Sequence, residues 1–390
     1  MNAFVNKTWP VVPRLFLALA MFILLNRCAE VDPFAQMLQS LAGKSAKEQR
    51  EELAQFIKKQ QWPLIYESSA YFVVKDDSSS VPFLTGDMAQ WKPDSLKMHR
   101  IGQTDYWYRR EEFPLAARIE YKFVIRGKYL LDKLNPRKAA GGFGYNSVFW
   151  MPEYVFPEEA LLVPGNPAGR LDTLSFKSRL LKNKRQVFVY RHPGAQGHSP
   201  LLIFQDGGDY LRFARAQVIL DNLIAKGEIP AVNALFVNPV NRRVEYWFND
   251  DYLKMLFNEL LPEVQKRFAL SARAPLIMGG ASLGGVISLH ALKDYHNRLQ
   301  GVFSQSGALW IEQGQILREL KELATIDPAL YLDYGLFEQQ ESIHREAGAI
   351  LTEKKAKFKL HEWPEGHNWG NWRGHLSRAL IFLLKEQGND

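Results

Sequence analysis

The chain predicts two folded parts in series: an all-β sandwich over residues 62–155, then an α/β domain over residues 171–390 whose mostly parallel sheet carries helices on both faces. Three observations lead there. At 390 residues the chain is longer than one ordinary core sustains. From about Trp62 to Tyr154 short alternating runs are punctuated by turn signals, the pattern of a β-sandwich. From residue 171 onward, apolar runs of buried-strand length alternate with helical patterns, which specifies a parallel sheet covered on both sides.

The sandwich strands are Ala70–Lys75, the run from Pro82 to Asp87, Asp105–Arg110 and Ile119–Ile125, with Asp76, Asp77 and three serines closing the first. The stretch from Glu153 to Arg170, with Pro157, Pro164, Pro167, Gly165 and Gly169, reads as the linker, centred on residues 156–170. In the second part the strands are Arg185–Tyr190, Leu201–Phe204, Ala234–Val237, Leu276–Met278, Gly301–Phe303 and Leu330–Leu332. Helical patterns between them include Tyr252–Phe268 and Val286–Lys293. Ahead of both parts, residues 29–61 form a helical arm, which Gly43 and Ser45 divide into two amphipathic helices.

With 46% apolar and 23% charged residues, the chain is globular and not disordered. A net charge of +7 is spread along the sequence in short clusters, so no nucleic-acid footprint is expected. Cys28 is the single cysteine, which excludes an internal disulfide and a CxxC metal or redox motif. Lys7 and Arg14 precede an apolar run from Leu15 to Leu25, and Cys28 follows it. That run is too short to span a bilayer but fits the apolar region of a secretory signal, so residues 1–28 are expected to direct export to the periplasm or a membrane surface. Cys28 stands where a bacterial lipoprotein would be lipidated and membrane-anchored, although Asn26 and Arg27 replace the small residues of such a site.

Gly280-Ala281-Ser282-Leu283-Gly284 matches the G-x-S-x-G nucleophile elbow, with a strand expected before it and a helix after it. The serine must sit on a tight strand-to-helix turn, and the flanking glycines let strand and helix approach. This is the arrangement of the α/β-hydrolase fold, where nucleophile, acid and histidine follow in that chain order. Glu338, just past Gly335 at the end of a late strand, is the expected acid, with Asp333 and Glu341 as alternatives. His367, after Gly366 and before the last helix, is the expected general base; His361 and His375 are the other histidines nearby. An oxyanion hole needs two backbone N–H groups. Leu283 supplies one, and the loop Gln205-Asp206-Gly207-Gly208-Asp209 the other, from Gly208 or else Asp209. The chemistry of these parts is acyl transfer through serine, with no metal or organic cofactor required.

Two resemblances extend this reading. Leu84-Thr85-Gly86-Asp87 through Trp91, Glu120–Val124, Leu131–Pro136 and Asn146-Ser147-Val148 resemble early-set immunoglobulin-like domains, among them family 48 carbohydrate-binding modules. In such modules Trp91 and Trp107 would offer a sugar platform. Residues 171–390 resemble the putative esterase family that includes enterochelin esterases, feruloyl esterases and S-formylglutathione hydrolases. The enterochelin esterase branch is matched by Asp206–Tyr210, Asn241–Tyr246, Asn258–Pro262, Gly280–Gly285, Ser304–Gly307 before Trp310, and Gly366-His367-Asn368 with Trp372-Arg373. The resemblance implies that Arg242, Glu245, Trp310 and Arg373 lie near the pocket; of these Arg242, Trp310 and Arg373, together with Asp209, are expected to face substrate, and Glu245 is read as a structural ion pair with an arginine. It implies a small-molecule trilactone ester as substrate. A feruloylated or acetylated polysaccharide is the alternative, and a catalytically silent binding protein a third reading.

Overall fold

The computed structural model describes residues 31–78 and 80–385. The export signal and Cys28 lie outside the described residues. No helix among the described residues is long and apolar enough to cross a membrane.

The helical arm forms Pro33–Ser40 and Ala46–Lys59. Asp32 caps the first helix, its carboxylate accepting from the N–H groups of Phe34 and Ala35. Ser45 opens the second with a capping box, accepting from Glu48 N while the Glu48 carboxylate accepts from Ser45 N. The expected division at Gly43 and Ser45 thus falls where the caps are. Phe34 and Phe56 pack edge to face across the pair.

The sandwich consists of two antiparallel sheets. Leu64–Tyr66, Ser69–Lys75 and Tyr106–Glu112 pair in the first, and Phe83–Gly86, Arg118–Ile125 and Gly144–Trp150 in the second. Alternate residues of these strands meet inside. Phe72 contacts the edges of Phe113, Tyr121 and Phe149, so much of the aromatic content is spent on this core. Trp107 is partly buried against this core, and Trp91 lines the cleft described below.

The α/β domain carries an eight-stranded sheet. In spatial order its strands are Arg170–Lys177, Lys184–Arg191, Asn233–Val237, Leu201–Gln205, Leu276–Ala281, Gly301–Gln305, Ala329–Gly335 and Phe358–Trp363. The first two pairings are antiparallel and the rest parallel. The five-residue strands are buried from end to end, as continuous apolar runs between two helical layers require. One large core lies on each side of the sheet. Arg170–Lys177 begins where the linker was expected to end; its exposed and buried residues alternate in its second half, so it lacks the apolar run that marks the inner strands. The helical pattern Tyr252–Phe268 is observed as Asp250–Met255 and Leu261–Phe268 joined by a π-helical turn, Leu256–Leu260. Pro262, which has no N–H to return to the preceding turn, follows that widening directly.

Candidate active site

The strand Leu276–Ala281 ends on Ser282, and the helix Leu283–His290 starts one residue later. Ser282 has φ 57° and ψ −120°, a conformation that a side-chain-bearing residue adopts only when its surroundings impose it. Those surroundings are tight. A Cβ on Gly280 would stand 2.8 Å from Gln205 Cβ and 2.9 Å from the Gly284 carbonyl carbon, so strand and helix close on each other only because position 280 lacks a side chain. Leu283, at the first helical position, has an N–H that no intrahelical carbonyl can accept.

The histidine arrives from the edge of the sheet, three strands from the elbow strand. His367 lies in the loop between Phe358–Trp363 and the last helix, Trp369–Lys385. Its Nδ1 is 2.8 Å from Glu338 Oε2. The Glu338 side chain is 1% exposed, against 39% for His367, so the acid is sealed while the imidazole reaches the cleft. Glu338 is itself oriented: its Oε1 accepts from Ser306 Oγ at 2.6 Å and from Gly335 N at 2.7 Å. Trp372 Nε1 in turn donates to Ser306 Oγ at 2.9 Å. The alternatives to Glu338 are engaged elsewhere. Glu341 pairs on the surface with Arg345 at 2.6 Å. Asp333 is buried inside its strand, and burial pushes its carboxyl up to about 7 despite Gln305 and Trp363 nearby. His361 and His375 each stack on the Trp363 indole, and His375 Nε2 contacts Glu365 Oε1 at 3.0 Å.

Ser282, Glu338 and His367 line one cleft of about 730 Å³. Trp310, 58% exposed, also lines it. Asp87, Gln90 and Trp91 of the sandwich line it too, so the cleft is built by both domains.

Other expected site residues have different surroundings. Arg242 forms a bidentate pair with Asp206, its Nε 2.9 Å from Oδ1 and its Nη2 2.9 Å from Oδ2. The same Nη2 donates to Ala281 O at 3.2 Å, so Arg242 ties the glycine loop to the elbow and does not line the cleft. The Gly208 N–H donates to Asn238 Oδ1 at 2.7 Å, and the Asp209 N–H to Asp206 O at 2.9 Å. Neither is open to an oxyanion in this arrangement: the Asn238 side chain takes the first, and the short helical turn of residues 207–212, where the sequence suggested a loop, takes the second. The Asp209 carboxyl, raised by burial and by Asp206, does not line the cleft. Arg373 lines a second cavity and donates to Phe213 O. Glu245 makes the arginine pair expected of it, with Arg185 Nη1 and Nη2 each 2.9 Å from its carboxylate.

Sequence reasoning missed what holds the histidine loop. Asp87, at the end of a sandwich strand, accepts from Asn368 Nδ2 at 3.0 Å, from Glu120 N at 2.8 Å and from Trp91 Nε1 at 3.2 Å. Arg118 donates its Nη1 to Asn368 Oδ1 at 3.0 Å, its Nη2 to Glu120 Oε1 at 2.8 Å and its backbone N–H to Pro364 O at 3.3 Å. The residue after His367 is therefore fixed by two buried charged side chains of the other domain. Burial, then the neighbouring Glu120, pushes Asp87 up to about 7. Asp87 falls within a motif already singled out; Arg118 carries no local signal, since a lone arginine before a strand is usually a solvated edge.

The family model described as "Putative esterase" matches residues 178–383. The chain belongs to this esterase family. It is 28% identical over 337 residues to the iron(III) enterobactin esterase of Escherichia coli O6:H1, covering 75% of this chain and 83% of that one. Identity to the iron(III) enterobactin esterase of Dickeya dadantii is 24% over 241 residues, 56% of this chain and 55% of that one. Among solved structures, the enterobactin esterase from Shigella flexneri, crystallised in the presence of enterobactin, superposes with a TM-score of 0.69 at 24% identity, covering 82% of this chain and 93% of that one. The ferric enterobactin esterase from Salmonella typhimurium gives 0.72 at 19% identity, over 86% and 99%. The family member thus has the expected α/β-hydrolase-like esterase fold behind an N-terminal β region.

Proposed function

We propose that the protein is a serine carboxylic-ester hydrolase working through an acyl-enzyme on Ser282. The observation that carries this reading is the Glu338–His367 pair, with its acid sealed and its imidazole opening onto the cleft that holds the strained Ser282. His367, held by Glu338 at Nδ1, takes the Ser282 hydroxyl proton on Nε2 as Oγ attacks the ester carbonyl. The carbonyl electron pair moves onto oxygen, where the Leu283 N–H and the N-terminus of its helix oppose the charge. Gly208 can add a second N–H only by releasing Asn238. The intermediate collapses, the C–O bond to the alcohol breaks, and His367 returns the proton to the leaving oxygen. Water, deprotonated by the same histidine, then splits the acyl–Ser282 bond.

For substrate, we propose a bulky aryl-bearing polyester of the siderophore trilactone class, as the names of the related esterases suggest. A cleft of about 730 Å³ with Trp91 and Trp310 on its walls suits such a molecule. The same walls would receive a feruloyl group, so a feruloylated polysaccharide is the second reading. Hydrolysis of ferric enterobactin, feruloylated arabinoxylan and p-nitrophenyl acetate, each against Ser282→Ala, separates them. Turnover of ferric enterobactin well above the arabinoxylan supports the first reading; the reverse order supports the second. We also propose export through residues 1–28, with Cys28 as a lipid anchor; cell fractionation of wild type and Cys28→Ser should place the first with membranes and the second in the periplasm. Uncleaved protein confined to the cytosol would contradict it.

A further inference from the structure

The sandwich and the α/β domain also enclose a second cavity, about 300 Å³, lined by Arg118, Arg137, Lys138 and Arg373. Trp150, Tyr154 and Phe156 form its aromatic wall. It shares no lining residue with the Ser282 cleft.

The four cations are unequally compensated. Arg118 is neutralised, with Glu120 Oε1 at 2.8 Å and Glu365 Oε2 at 3.8 Å. Arg373 has no carboxylate at ion-pair distance among the described residues, and its one hydrogen bond goes to Phe213 O at 3.2 Å. Burial, then the nearby Arg118 charge, holds the Arg373 guanidinium below its ordinary value, with Tyr154, Glu120 and Glu365 acting in the opposite direction from farther away. Among the described residues Arg137 makes no ion pair either; its guanidinium lies over the Trp150 ring, 4.5 Å from the centroid. Arg373 and Arg137 are half-buried, so their guanidinium groups can meet a ligand, and a guanidinium fork matches a carboxylate at two points. The walls are flat and apolar: Phe156 meets Trp150 edge to face at 4.7 Å and Tyr154 at 5.0 Å. The volume is at the small end of ligand-sized cavities.

We propose that this cavity binds a small aromatic carboxylate, with the carboxylate taken by Arg373 and Arg137 and the ring set against Trp150 and Phe156. The site stands independently of the reading of Ser282, since it needs neither the serine nor the histidine. Titration calorimetry on the full chain tests it, with sodium benzoate as probe and inorganic phosphate as the non-aromatic anion. Saturable 1:1 binding of benzoate is expected, weakened about tenfold or more by Arg373→Gln and by Arg137→Gln and unaffected by Trp310→Ala. Circular dichroism and thermal melting check that each variant is folded; Arg137, half-buried and making no ion pair, can be replaced without unpairing a carboxylate. No saturable binding, binding indifferent to Arg137→Gln, or phosphate bound as tightly as benzoate would each overturn the proposal. So would loss of benzoate binding in Trp310→Ala, which would put the ligand in the Ser282 cleft.

Discussion

Three carboxylates near the end of one strand differ in what surrounds them, and that decides which can serve the histidine. Glu338 is buried, hydrogen-bonded by Ser306 and Gly335, and in contact with His367. Glu341 is on the surface with Arg345. Glu338→Gln should therefore lower kcat on p-nitrophenyl acetate by about 10³-fold or more, as loss of a triad acid does, while Glu341→Gln should leave it nearly unchanged. A more damaged Glu341→Gln would reverse the assignment. Asp333 behaves differently. With its carboxyl at about 7 in the folded protein against an ordinary value near 3.8, it keeps a proton that the unfolded chain gives up. Its contribution to stability is thus fully present below about pH 4 and lost as pH rises towards 7. Asp333→Asn removes that dependence, so its melting temperature relative to wild type should rise between pH 5 and pH 8. A difference that stays flat with pH would show that Asp333 is not held protonated.

The strands and helices of the α/β domain were legible because their apolar runs have the length and burial of inner strands: Leu201–Gln205 and Gly301–Gln305 are buried throughout. The elbow was legible because its glycines are a steric requirement. What the sequence did not disclose is that Asn238 takes the Gly208 N–H and that a helical turn over Gly207–Arg212 takes that of Asp209, since a double glycine is weak evidence for a helix. Nor did it disclose that the His367 loop is seated against Asp87 across the domain boundary. That seating has no room to spare: a Cβ on Gly366 would stand 2.2 Å from the Asp87 carboxyl carbon. Gly366→Ala must shift the loop or the sandwich, and a displacement of His367 by about 1 Å is worth on the order of 10²-fold in rate. The expected outcome is a kcat loss of that size on p-nitrophenyl acetate in a variant that still melts cooperatively. Wild-type turnover in Gly366→Ala would mean that the contact does not position the histidine.

At the scale of the molecule, the two domains of the sandwich and hydrolase unit act together: the sandwich supplies Asp87, Gln90 and Trp91 to the cleft and, through Asp87 and Arg118, holds the loop that carries His367. The order Ser282, Glu338, His367 and the sandwich motif could each be read from the chain, but their meeting could not, because Arg118 and Asn368 are 250 residues apart and only the folded sheets bring them together. All of this organisation serves one claim, that Ser282 is the nucleophile. The most direct test is intact-mass spectrometry of the full chain after exposure to an alkyl fluorophosphonate, followed by peptide mapping. The account predicts a single phosphonyl adduct on Ser282, formed rapidly in wild type, slowed by about 10³-fold or more in His367→Ala and absent from Ser282→Ala. An unmodified Ser282, or an adduct that persists in Ser282→Ala, would contradict it.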